Sequence, residues 1–77
     1  MEGEAEYVRL AVDAARDALR LYREEGCPIV EALAEMEFAC IERDADRFRK
    51  GELSMASVVY PARQFASILE PWSPDEI

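Results

Sequence analysis

The sequence predicts an all-α fold, a three-helix hairpin or bundle forming one small domain over residues 1–77, and three observations carry that prediction. Apolar residues recur at three- and four-residue steps through most of the chain. Gly26, followed by Pro28, and Gly51, preceded by Lys50, divide it into three such stretches. No stretch alternates apolar with polar residues as a half-buried strand would. Helices are therefore expected at about 4–25, 28–50 and 54–70, with 71–77 as a short C-terminal tail.

The first helix is amphipathic. Val8, Val12, Ala15, Leu19 and Tyr22 form one apolar stripe, and Tyr7, Leu10, Ala14, Ala18 and Leu21 form a second beside it. The opposite face carries Glu6, Arg9, Asp13, Arg16, Asp17, Arg20 and Glu24, with signs alternating at helical steps. Such pairs contribute roughly 0.2–0.5 kcal/mol each, enough to support a solvated face and too little to define a site.

The second helix is more apolar than a surface helix needs to be. Ile29, Leu33, Met36 and Cys40 fall on one stripe; Val30, Ala34, Ile41, Ala45 and Phe48 fall on another, with Phe38 beyond it. An arc covering more than half the circumference predicts packing on more than one side, as a central helix or as one shared in a dimer. Glu31, Glu35, Glu37 and Glu42 precede every base, and Arg43, Arg47, Arg49 and Lys50 crowd the end, an order that complements the helix dipole. Glu37 and Asp44 fall inside the apolar arc. A buried carboxylate there is costly without a partner, so Glu37 is expected to pair with an arginine from another helix, with Arg63 as a candidate, or to reach the rim; the alternative is that the two acids mark a groove for a basic residue of a bound protein.

In the third helix Ser54 is the expected N-cap, and Met55, Val58, Val59, Ala62, Phe65, Ala66 and Leu69 keep helical spacing. Pro61 interrupts the backbone ladder and predicts a kink or break near it, with the kink favoured because the rhythm continues past it. Pro71 ends the helix.

Charge and composition exclude several classes of function. Nine basic and seventeen acidic side chains leave a net charge of −8, which opposes direct binding to nucleic acid. The chain has no histidine, so the commonest general base and transition-metal ligand is missing. No acid is followed by another three residues on, and the glycines are too scattered for a phosphate loop. Cys27, beside Glu24 and Glu25, lacks an activating base, and Cys40 reads as a small core residue. On one helix the two cysteines would stand about 19 Å apart, beyond disulfide reach. The acidic N-terminus is unlike a signal peptide, and no apolar run is long enough for a membrane span. The expectation is a cytoplasmic protein with reduced thiols, no catalytic residue, no metal and no cofactor.

Two surfaces remain as binding candidates. Glu31, Glu35, Glu42 and Asp46 share a face of the second helix, which could attract a basic protein. The third helix, by contrast, carries only Arg63 as a charge between Leu53 and Leu69. Tyr60, Arg63, Gln64 and Ile68 are expected to point away from its core stripe, with Trp72 just beyond, and Tyr, Trp and Arg are enriched at binding hot spots. At 77 residues, one core seldom contributes more than about 3–5 kcal/mol, so burying these faces predicts association, most simply as a homodimer.

The expected function is that of a non-catalytic acidic protein that binds a protein partner, in its most concrete form an inhibitor of phage or mobile-element type. Such an inhibitor would occlude the nucleic-acid-binding surface of a bacterial protein. The alternative is a structural or regulatory subunit, such as an immunity protein, antitoxin or adaptor, docking through the third helix.

Overall fold

The computed structural model describes residues 2–69. It contains three helices, α1 (Glu2–Glu24), α2 (Pro28–Arg49) and α3 (Met55–Ala66), followed by a single 3₁₀ turn at Ser67–Leu69. The described residues contain no strand, and the all-α three-helix bundle is as expected. The tail expected at 71–77, with Trp72, lies outside the described residues.

Both turns are set by glycine. Gly26 follows α1 at φ 76° and Gly51 follows α2 at φ 79°, a left-handed conformation that costs a residue with a Cβ roughly 1–2 kcal/mol. After α2 the Gly51 N–H donates to the Phe48 carbonyl and the Glu52 N–H to the Arg47 carbonyl, both at 2.9 Å. This pair of bonds is a Schellman motif, and it satisfies two carbonyls that the helix end would otherwise leave open. At Gly26 an added Cβ would meet nothing within 4 Å, so the cost of substitution there is purely conformational. Gly26→Ala is expected to lower stability by about 1 kcal/mol in urea unfolding, while Gly3→Ala, inside the exposed first turn of α1, causes no loss.

Helix starts are less conventional. Cys27 occupies the N-cap of α2 with Pro28 at the first helical position, and Ser54 occupies the N-cap of α3, but neither side chain caps the helix. The Ser54 hydroxyl instead meets the Ser57 hydroxyl at 3.0 Å. α3 is continuous through Pro61, which deprives the Ser57 carbonyl of its usual donor. It ends earlier than expected, at Ala66, where the Ser67 hydroxyl and N–H both turn back to the Gln64 carbonyl. Serine competes for backbone groups in this way at helix ends.

α1 and α2 run antiparallel, since Arg23 pairs with Glu35 and Arg16 with Glu42. The core joins Val8, Ala15, Ala18 and Leu19 of α1 to Ala34, Phe38, Ile41 and Ala45 of α2 and Val58, Val59, Ala62 and Phe65 of α3. Phe65 ties the three helices together: its ring lies 5.0 Å from that of Tyr22 and 6.4 Å from that of Phe38.

Only one of the two α2 stripes is core. Ala34, Ile41 and Ala45 are buried with Phe38, whereas Ile29, Leu33, Met36 and Cys40 are exposed. The expected packing of α2 on more than one side is not seen within the chain, because α1 and α3 both approach the Phe38–Ile41–Ala45 side. Cys40 is accordingly a surface thiol rather than a core residue. Glu37, expected within the apolar arc, is exposed and needs no buried partner. Asp44 is half-buried, and Arg43 reaches its carboxylate at 3.8 Å. Arg63 does not meet Glu37; it donates instead to the Tyr7 hydroxyl at 3.2 Å.

Candidate protein-docking surfaces

The acidic face of α2 turns toward α1, and three of its four acids have cations at hand. Arg23 donates from Nε and Nη2 to one Glu35 oxygen, at 3.1 and 2.9 Å. Arg16 approaches Glu42 to 3.6 Å, and Lys50 and Arg49 approach Asp46 to 3.2 and 3.5 Å. Glu31 is half-buried in the first turn of α2, where the helix dipole favours a negative charge. The charge of the four carboxylates is thus offset locally, at Asp46 by bases of its own helix end and at Glu35 and Glu42 by α1 bases that the α2 sequence alone does not place there.

Titration follows the same pairing. A side-chain hydrogen bond from Lys50 holds the Asp46 carboxyl below its ordinary range, and one from Arg9 does the same for Glu6. Both carboxyls are solvent-exposed, so the effect on stability is small. Its sign is that of a depressed carboxylate: the stabilisation is present at neutral pH and fades as pH falls through the lowered folded-state values.

Between α1 and α2 lies a groove of about 350 Å³, lined by Val8, Val12, Phe48, Arg9, Arg16 and Glu42 among others. Its charges are already engaged. Arg9 bonds to Glu6 and Asp13, and Arg16 bonds to Asp13 while lying 5.7 Å above the Phe38 ring. A ligand would have to displace these contacts.

A second groove, about 240 Å³, runs between α1 and α3 and is lined by Tyr7, Leu10, Ala11, Ala14, Arg63 and Ala66. It is apolar except at one end, where Arg63 and the Tyr7 hydroxyl stand together. Among the described residues Arg63 has no carboxylate partner. Tyr7 and Leu10, of the second apolar stripe of α1, are 44% and 55% exposed.

The residues expected on the outer side of α3 are all exposed, but they do not form one patch. Arg63 turns toward α1 and joins the groove. Tyr60, 74% exposed, lies on the outward face about 60° away at 100° per residue. Gln64 lies further round, and Ile68 belongs to the following 3₁₀ turn. Trp72 lies outside the described residues.

The sequence allows α2 to be shared in a dimer, but it does not single out the outer stripe of α2 as the exposed one. Ile29, Leu33 and Met36 are 73%, 61% and 67% exposed, and Cys40 continues the line. The available signal was the excess width of the α2 apolar arc.

Among the described residues no group of three acids or thiols is placed to hold a metal ion, and no helix is long and apolar enough to cross a membrane. The fold and these surfaces together define an acidic all-α three-helix bundle with exposed apolar faces. Comparison with protein-family models, curated proteins and solved structures yields no match.

Proposed function

We propose that this chain is a non-catalytic protein-binding protein that docks a partner in the α1–α3 groove, as a structural or regulatory subunit such as an immunity protein, antitoxin or adaptor would. One observation carries the reading: an apolar groove ends at an arginine that has no carboxylate partner among the described residues. The fitting partner presents an apolar side chain to Leu10, Ala11, Ala14 and Ala66, next to a carboxylate that Arg63 and Tyr7 can bind. Such a charge-assisted bond is stronger than a neutral one, and Tyr and Arg beside an apolar centre are typical binding anchors.

The second reading, an acidic inhibitor occluding a basic nucleic-acid-binding surface, rests on the net charge of −8 and on Glu31, Glu35, Glu42 and Asp46. It carries less weight because Glu35, Glu42 and Asp46 would have to exchange their present cations for those of the partner. Both readings place the protein where it meets other macromolecules in the cytoplasm.

Affinity capture from the native host separates them. With the docking reading, a retained protein survives a high-salt wash, is lost with Leu10→Glu and Arg63→Glu, and is kept by the double variant Glu35→Gln and Glu42→Gln. The inhibitor reading requires the reverse: release by salt, since exposed charges are screened within about 8–10 Å, and loss with the Gln variants. Capture indifferent to all four substitutions overturns both.

A further inference from the structure

We propose that the outer face of α2 is a self-association surface, on which two copies of this chain pair their α2 helices antiparallel about a two-fold axis. The surface is distinct from the α1–α3 groove, and the inference does not rest on the docking reading.

The first support is spacing. Ile29, Leu33, Met36, Cys40, Arg43 and Arg47 follow one another at alternating steps of four and three residues, the a and d positions of a heptad. The first four are apolar and exposed, on the side of α2 away from α1 and α3. Ala32 and Ala39, one heptad apart and both exposed, line the edge of the stripe. Their small side chains let a second helix approach to the short end of the usual range of about 8–10 Å. A seam of this kind fits a helix, and the strip it covers ends where Arg43 begins.

The second support is charge, and it selects both the occupant and its direction. In an antiparallel pair that buries all four apolar positions, Ile29 faces the partner's Cys40 and Leu33 faces the partner's Met36. Arg43 then comes level with the partner's Gly26, beside the partner's Glu24 and Glu25. These two acids are exposed at the α1–α2 turn and enter no ion pair among the described residues. Arg43 itself has, among the described residues, only the neighbouring Asp44, at 3.8 Å. The two-fold axis repeats this match at the other end of the seam. A parallel pair would instead set Arg43 against Arg43 and Arg47 against Arg47, an arrangement penalised by like-charge repulsion. The face is therefore complementary to itself in one orientation, as a two-fold interface requires.

Sedimentation equilibrium of the whole chain tests the association, and cross-linking tests the register. Wild type is expected to show a concentration-dependent dimer. Leu33→Glu, an exposed substitution, is expected to weaken it roughly 100-fold or more, since each dimer loses two buried leucines, with helix content by circular dichroism unchanged. For register, Cys27→Ser combined with Ile29→Cys is expected to give a covalent dimer on copper–phenanthroline oxidation. Cys27→Ser alone is expected to give none, because the two Cys40 thiols of an antiparallel pair stand about 16 Å apart along the seam. A wild type that stays monomeric, or a Leu33→Glu dimer as tight as wild type, overturns the interface. Cross-linking through Cys40 in Cys27→Ser alone, or none in the double variant, overturns the antiparallel register.

Discussion

Phe65→Ala is expected to destabilise the bundle by about 3–5 kcal/mol, the largest effect of any single truncation in the chain. Phe65 is buried, and among the described residues it is the aromatic ring that meets rings from both other helices, Tyr22 of α1 and Phe38 of α2. Removing it leaves a cavity at the junction of all three helices, where none can move inward without losing its contact with the others. A core of this size seldom contributes more than about 3–5 kcal/mol, so the variant is expected to be largely unfolded at room temperature. Urea unfolding followed by circular dichroism measures the loss. Tyr60→Ala, the truncation of an aromatic residue of the same helix that is exposed, provides the contrast and is expected to stay within about 0.5 kcal/mol of wild type. Equal losses in the two variants would show that α3 is not held in the orientation described.

Ala62→Leu is expected to be the next most damaging, at about 1–3 kcal/mol or more. Ala15, Ala18 and Ala62 are fully buried, and Ala11, Ala14 and Ala66 line the groove where α1 and α3 meet. The contact between these helices is thus built from methyl groups, which lets the backbones come close. A leucine at Ala62 has no free volume to enter, and it must push α3 off α1 or leave its preferred rotamer. Ala56→Leu, at an exposed position of α3, adds the same atoms without the crowding. Its midpoint of unfolding is expected to remain near that of wild type. If both leucine variants unfold at the same urea concentration, the close α1–α3 contact is wrong.

The helices themselves were legible residue by residue. The three periodic stretches and the two glycine turns follow from spacing and from the conformational freedom of glycine, which are properties of the local chain. The end of α3 was less legible. Ser67 competes for the Gln64 carbonyl through its own hydroxyl, a local bond that spacing does not register. Nor does spacing say that the Ser54 and Cys27 side chains leave their caps unmade.

The candidate sites were legible only in part. Tyr60, Arg63, Gln64 and Ile68 were read as outward and are exposed, but the sequence grouped them by helix rather than by neighbour. Arg63 belongs with Tyr7, fifty-six positions away, and no pattern within α3 announces that pairing. Spacing puts Glu31, Glu35, Glu42 and Asp46 on one face of α2, but the bases that oppose two of them, Arg16 and Arg23, lie on another helix.

What the sequence by itself determined is which residues can form a helix and how apolar each helix is all the way round. A period of 3.6 residues and a left-handed glycine act within a few residues, and no tertiary contact is needed to read them. Which of two equally apolar stripes becomes core is a different matter, since burial is non-directional and either stripe would serve. That choice was made by where α1 and α3 meet α2, through the small alanines and the aromatic junction at Phe65. It is the reason that Ile41 is buried while Leu33, on the same helix and no less apolar, faces outward.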